Sequence, residues 1–301
     1  MSRDPITILY EIAQLGIGGA ERQLYELVRR IDQERYRPLV FTLSEGGLYA
    51  ELLADAHIPL CTFARRNRVD FIPVWRIAAL IRKQNVRILH TYGYYAGLYA
   101  RIAAIGVRPD VVISSERAIH SPGSLLGNSI YSALDRCLAP LTTGYIANAY
   151  AVKEYAAATK KLPEEKIHVV YNGIDLNRFR TSTATASVDS LAALGIRPSA
   201  KLVGFVARLD PIKNHPMFLH AIPQIVAAVP DAHFLIIGDG PMRSELEQLT
   251  HQLGLTDKVT FTGALKGDIL IQFMASLEVS VLTSKREGCS NTVLLYFLVK
   301  A

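Results

Sequence analysis

One feature constrains this chain more than any other: short β-branched apolar runs alternate with longer amphipathic stretches along nearly its whole length. Strands of a parallel sheet are buried on both faces and read as unbroken apolar runs. The crossovers between them are amphipathic helices. In the first part of the chain the strand candidates are 6–12, 39–43, 87–91, 111–115, 145–148 and 168–171. Helices are expected at 20–31, where Leu24, Leu27, Val28 and Ile31 share a face, and at 74–83 and 96–105.

The texture changes at 181–190, a run of small and polar residues with the composition of a linker. Beyond it the alternation restarts. Strands are expected at 202–207, 234–237, 259–262 and 279–283, and helices at 216–229, 242–253 and 268–275. The expected fold is α/β, with two doubly wound Rossmann-like domains facing a cleft. Their bounds are 1–180 and 201–301, joined by a linker at 181–200. The second domain offers four strand candidates, and its apolar last segment, 291–301, reads as the start of a helix in an incomplete sheet.

Charge is unevenly placed. Residues 1–180 hold 23 Lys and Arg against 17 Asp and Glu, whereas residues 181–301 hold 10 of each. Arg65, Arg66 and Arg68 form a local cluster. A basic first domain suits a membrane surface or another anionic partner; the alternative is an ordinary solvated face. Cys61, Cys137 and Cys289 lack metal-ligand spacing, which favours free thiols in a reducing compartment. The apolar N-terminus is interrupted by Asp4 and Glu11 and runs into a glycine-rich turn, so it reads as a strand rather than a signal peptide. No apolar run reaches the roughly 18 residues of a membrane span.

Ligands of open α/β sheets bind at the carboxyl ends of the strands, so the turns there carry most weight. Gly16-Ile17-Gly18-Gly19-Ala20-Glu21 joins the first strand to its helix. Its glycines allow close approach of an anion to the backbone. Glu21, however, stands where a dinucleotide fingerprint has its third glycine. Arg208 and Lys213 follow the strand at 202–207 and could clamp a diphosphate, or could be two solvated cations. Gly238-Asp239-Gly240-Pro241 is either a ligand contact or a turn that backbone geometry demands. Glu287-Gly288-Cys289-Ser290-Asn291 opens the last helix with good N-cap residues, and Glu287 could accept bonds from sugar hydroxyls or be a surface acid. His90 ends one strand and Glu116, with Arg117, another; His90 could be catalytic or a satisfied buried histidine. His-Glu-x-x-His, paired cysteines and Gly-x-Ser-x-Gly are absent from the sequence, leaving metalloprotease and α/β-hydrolase readings unsupported.

Taken together, these motifs resemble glycosyltransferase family 4, the retaining GT-B enzymes. The resemblance runs from Ile6 to about Leu294. It rests on Gly-Ile-Gly-Gly-Ala-Glu, on Ile-Leu-His-Thr-Tyr-Gly around His90, and on Val-Val-Tyr-Asn-Gly-Ile-Asp-Leu-Asn-Arg-Phe at 169–179. It continues through Gly-Phe-Val-Ala-Arg-Leu-Asp-Pro-Ile-Lys-Asn-His at 204–215, Ile-Ile-Gly-Asp-Gly-Pro at 236–241, Val-Thr-Phe-Thr-Gly at 259–263, and Glu-Gly-Cys-Ser-Asn-Thr-Val-Leu at 287–294.

The resemblance implies a nucleotide diphosphate sugar as donor, no metal and no cofactor. Gly18 and Gly19 would offer backbone N–H groups to the donor phosphate, with Gly240 at a further donor-side turn. Arg208 and Lys213 would neutralise the leaving diphosphate, and Glu287 would hold sugar hydroxyls. Gly288, Cys289, Ser290 and Asn291 would bind sugar and phosphate through their amides, and Ala264 and Leu265 would flank the nucleobase. Glu116 stands where many relatives carry a catalytic histidine. The implied acceptor is a glycan or lipid-linked sugar of a cell-surface polysaccharide, not a nucleic acid. The implied place is the cytoplasm, at the inner face of the plasma membrane.

The match departs from the family pattern at Leu295, where a second acid, eight residues after Glu287, would bind the ribose. After it stand Tyr-Phe-Leu-Val-Lys-Ala. The expectation is a chain shortened by a frameshift or premature stop, its turnover weak or lost. The alternatives are a non-catalytic remnant that keeps weak donor or acceptor binding, and a nucleotide-sugar epimerase on the same fold, which the Gly-Gly-Ala-Glu and Arg-to-Lys pattern fits less well.

Overall fold

The computed structural model describes residues 4–64, 70–119, 133–176 and 188–300. The chain divides into two compact units, Met1–Gly173 and Ile174–Ala301. Arg65, Arg66 and Arg68, like most of the 181–190 run, lie outside the described residues.

The first unit is a parallel sheet of β1 (Ile6–Ile12), β2 (Tyr36–Thr42), β3 (Leu60–Thr62), β4 (Val86–Tyr92), β5 (Val111–Glu116), β6 (Gly144–Ala147) and β7 (Ile167–Val169). Their spatial order is β3-β2-β1-β4-β5-β6-β7. Strand β3 is not among the expected strands: three residues, two half-buried and one exposed, are too few to show a period. Helices α1 (Gly19–Val28), α2 (Leu48–Asp55), α3 (Ile72–Lys83), α4 (Tyr94–Val107) and α5 (Tyr150–Ala158) accompany the sheet. Apart from Thr7 and Glu11, the run in β1 is apolar because both faces are covered. Leu9 packs with Ile77, Tyr99 and Ala103 of α3 and α4, while Ile8, Tyr10 and Ile12 pack with Leu24, Val28 and Leu53 of α1 and α2.

The second unit has four parallel strands, β8 (Lys201–Val206), β9 (Ala232–Ile237), β10 (Val259–Gly263) and β11 (Val279–Ser280), in the order β10-β9-β8-β11. Its helices are α6 (Val188–Ala192), α7 (His215–Ala228), α8 (Arg243–Gln252), α9 (Gly267–Ser276) and α10 (Asn291–Lys300). Phe205, Phe218, Phe234 and Leu246 fill the space under α7 and α8. Leu202, Leu235, Met274 and Leu295 fill the other face.

One expectation changes here. The 188–200 part of the expected linker is packed, with Leu191 and Ile196 buried in the second unit's core. A polar run masked the apolar pair that follows it. Leu295 is buried in that same core, so its side chain serves packing. Among the described residues no helix is long and apolar enough to cross a membrane.

Candidate functional site

In each sheet the strand order reverses once, and ligands of open α/β sheets bind at such a switch point, beyond the carboxyl ends. In the second unit the reversal lies between β8 and β11. The loops after these two strands carry Arg208, Lys213 and Glu287, so topology alone brings residues 74 positions apart together. The loop after β8 folds on its own acid: Asp210 Oδ1 accepts the N–H groups of Ile212 at 3.0 Å and Lys213 at 3.2 Å. It is then tied to the loop after β11. Thr283 Oγ1 donates to the Asn214 carbonyl at 2.8 Å, and the Lys285 N–H donates to the Ile212 carbonyl at 2.9 Å.

On this frame Lys213 Nζ lies 2.6 Å from Glu287 Oε1 and 3.0 Å from Oε2. The side chains are 22% and 29% exposed, so the pair is accessible yet partly shielded. Arg208 is exposed and forms no ion pair among the described residues. The same region holds polar atoms without partners among the described residues: Ser284 Oγ, Arg286 Nη1 and both ring nitrogens of His215. Buried polar atoms are seldom left so. Burial pushes the His215 imidazole down to about 4, which keeps it neutral at physiological pH. Two cations, one carboxylate and uncommitted donors can receive a polyhydroxylated anion.

Ser290 caps α10, its Oγ accepting the Val293 N–H at 3.5 Å. Gly288, Cys289, Ser290 and Asn291 are half-buried at that helix start. Gly240 has a sufficient structural reason: a Cβ there would lie 2.4 Å from the Leu209 carbonyl oxygen. At neighbouring Gly238, whose φ is +150°, it would lie 1.9 Å from that of Ala207. Ala264 is exposed, and Leu265 leans against the core in the loop after β10.

In the first unit the switch lies between β1 and β4. The glycine turn follows β1, with Gly18 extended as the N-cap of α1 and Gly19 its first residue. The Glu21 carboxylate folds back against this turn, so that a Cβ on Gly18 would lie 2.2 Å from Glu21 Oε2. The chain's own acid thus occupies the helix start at which an anion was anticipated. His90, at the end of β4, is enclosed. Its Nε2 is 2.8 Å from Ser115 Oγ, with the Tyr10 and Tyr92 rings 5.4 and 4.7 Å away. Burial, helped by Arg117, pushes it down to about 3.

Glu116 is committed to a buried network absent from the sequence reading. Its Oε2 accepts from Lys160 Nζ at 2.7 Å, Lys160 lies 3.6 Å from Asp135 Oδ2, and Asp135 Oδ1 pairs with Arg101. Also missed were two clasps on residues 172 and 173. Gln23 Nε2 donates to the Gly173 carbonyl at 2.8 Å while its Oε1 accepts the Gly173 N–H at 3.0 Å. Arg117 donates to Asn172 Oδ1. The Tyr-Asn-Gly motif held the signal for these, but no spacing rule links it to Gln23 or Arg117. Among the described residues no three His, Cys, Asp or Glu side chains gather as a metal-holding group.

Residues 17–178 match the profile of Glycosyltransferase Family 4, and residues 200–300 that of Glycosyl transferases group 1. The chain is 33% identical over 138 residues to an uncharacterized glycosyltransferase, MJ1607, of Methanocaldococcus jannaschii, covering 46% of this chain and 35% of that protein. It is 29% identical over 220 residues to UDP-Gal:alpha-D-GlcNAc-diphosphoundecaprenol alpha-1,3-galactosyltransferase of Escherichia coli, covering 71% of this chain and 56% of that protein. The chain thus spans about a third to just over half of these two relatives. Among solved structures, Anabaena Alr3699/HepE in complex with UDP-glucose superposes with a TM-score of 0.82 at 23% identity, over 98% of this chain and 78% of that one. The two Rossmann-like units, the second smaller, have the GT-B architecture.

Proposed function

The chain belongs to glycosyltransferase family 4, and from that premise we propose that it moves a sugar from a nucleotide diphosphate sugar to a glycan or lipid-linked acceptor with retention of configuration. The setting is cell-surface polysaccharide synthesis in the cytoplasm, at the inner face of the plasma membrane. The E. coli relative, whose name specifies a UDP-sugar and a diphosphoundecaprenol-linked acceptor, supports both substrate classes and makes UDP-sugars the first donors to test.

The observation that carries the reading is the contact of Lys213 with Glu287 at the switch point of the second sheet, with exposed Arg208 on the same loop. Lys213 and Arg208 neutralise the diphosphate as the bond to the sugar breaks, which is where negative charge grows in the transition state. Glu287 accepts hydrogen bonds from sugar hydroxyls. The amides from Gly288 to Asn291 hold sugar and phosphate at a helix start, and Ala264 and Leu265 border the base. The leaving phosphate takes the acceptor proton on the face it departs from, which retains the configuration. His90 is neutral and enclosed and Glu116 is paired, so in this reading both hold the acceptor-side unit in shape rather than transfer protons.

A second reading, a chain that binds donor weakly without turnover, is favoured by Leu295. Its buried apolar side chain stands where the family pattern has a ribose-binding acid. Incubating the chain with radiolabelled UDP-sugars and extracted lipid-linked acceptors separates the two. Labelled glycolipid supports transfer; donor binding without product supports the second reading. If neither appears, both are refuted.

A further inference from the structure

The outward face of α3 is built unlike an ordinary solvated helix. Its inward face is accounted for by buried Pro73, Ile77, Ala78 and Ile81. At helical spacing on the opposite side stand Phe71, Ile72, Trp75, Arg76, Ala79, Arg82 and Lys83, all exposed. The first turn is apolar: Phe71 is 57%, Ile72 44% and Trp75 76% exposed. The remainder, apart from Ala79, is cationic, and α3 contains no acidic residue. The geometry is fixed rather than incidental. Asp70 Oδ1 accepts the Ile72 N–H at 3.0 Å and orients the first turn. The Arg76 guanidinium lies 5.0 Å from the centre of the Phe63 ring, and Arg82 Nη2 donates to the Gly106 carbonyl at 3.1 Å. Because α3 follows β3, its apolar first turn lies on the side of the sheet to which the strands' carboxyl ends point.

We infer that this face docks the first unit on an anionic lipid bilayer, with Trp75, Phe71 and Ile72 entering the headgroup boundary and Arg76, Arg82 and Lys83 meeting lipid phosphates. The pairing of large aromatic and aliphatic groups with cations on one acid-free face is the chemistry of an interfacial helix. The charge complementarity selects anionic lipid over a second copy of this chain, whose matching face would present the same cations. The inference rests on the glycosyl-transfer reading only for its purpose, which is to bring the acceptor side to a lipid-linked substrate.

Trp75 is the chain's single tryptophan, so its emission reports this face alone. The full chain would be titrated with vesicles of 30 mol% phosphatidylglycerol in phosphatidylcholine, and with phosphatidylcholine alone. Docking gives a blue shift and flotation with the anionic vesicles only, reversed by 0.5 M NaCl. Each cation near such a surface contributes about fivefold to partitioning. R82Q/K83Q should therefore bind roughly 25-fold more weakly, and F71S/I72S should stay in solution. UDP-induced thermal stabilisation, measured on every variant, should be unchanged. That readout separates the claims: an unsubstituted chain that UDP stabilises but that does not float with anionic vesicles sinks docking alone, and one that floats but is not stabilised by UDP sinks the donor site alone. Equal binding by F71S/I72S would overturn the inference. So would a Trp75 emission already blue-shifted without lipid, rising with protein concentration alongside a dimer mass, because the occupant would then be a second copy.

Discussion

Replacing Glu287 by Gln should make the protein bind UDP more tightly while weakening its preference for UDP-sugar. In the free protein the Lys213 ammonium is held by both carboxylate oxygens, at 2.6 and 3.0 Å. A diphosphate reaching Lys213 must share it with that acid and meets the acid's charge. With side chains 22% and 29% exposed, the pair is screened, and its worth is about 1 kcal/mol. Removing the competitor should thus raise UDP affinity about fivefold at low salt, with the gain shrinking in 0.5 M NaCl. UDP-glucose should gain less than UDP, because Gln accepts more weakly from sugar hydroxyls than a carboxylate does. Lys213→Ala should weaken both ligands by roughly 10- to 100-fold, the value of a charge-assisted hydrogen bond. Isothermal titration of the two variants with both ligands, at two salt concentrations, tests this. If Glu287→Gln weakens UDP itself tenfold, Glu287 is part of the diphosphate frame and the reasoning fails.

Three predictions concern the buried groups of the first unit. Both carboxylate oxygens of Glu11 are buried without a partner among the described residues, and burial holds its pKa well above the usual carboxylate range against the opposing pull of Arg101. A raised pKa gives stability that is complete below the unfolded value of about 4.3 and is lost as pH rises. Denaturant titrations should therefore show Glu11→Gln gaining on the wild type by about 1.4 kcal/mol per pH unit above that point, until the folded pKa is passed. His90 has the opposite sign. With its pKa pushed down to about 3, the wild type should lose ground to His90→Gln by a similar slope as pH falls from about 6.5. Lys160→Met takes the buried cation from Glu116 and leaves Asp135 to Arg101 alone, and should cost about 3–5 kcal/mol, read as a fall in the chemical-denaturation midpoint.

The alternation of apolar runs and amphipathic stretches told most of the fold, because a strand buried on both faces has no other way to be written. Strand β1 is expected and observed over the same residues, Ile6–Ile12. What escaped was short or carried by few residues: β3, the helices α2 and α5, and the Leu191 and Ile196 pair hidden behind a polar run. In the site, Arg208, Lys213 and Glu287 were legible because each follows a strand end. That Lys213 and Glu287 touch depends on the return of β11 beside β8, a topological fact rather than a local one. The Lys160–Glu116–Asp135–Arg101 network was illegible for a related reason. Its members lie on separate segments and meet only because burial forces charges to find one another. Gly240 shows the converse: a motif residue whose need for a missing side chain is met by the Leu209 carbonyl.

The central claim is that the loops after β8 and β11 form a nucleotide diphosphate site. Thermal unfolding of the full chain, followed with a panel of nucleoside diphosphates at concentrations from 10 µM to 10 mM, tests it most directly. The account predicts a concentration-dependent rise in Tm with at least one diphosphate, UDP first among them, and its loss in Lys213→Ala with the unliganded Tm little changed. A cooperatively folded protein whose Tm no nucleoside diphosphate moves, or one stabilised equally with and without Lys213, would contradict it.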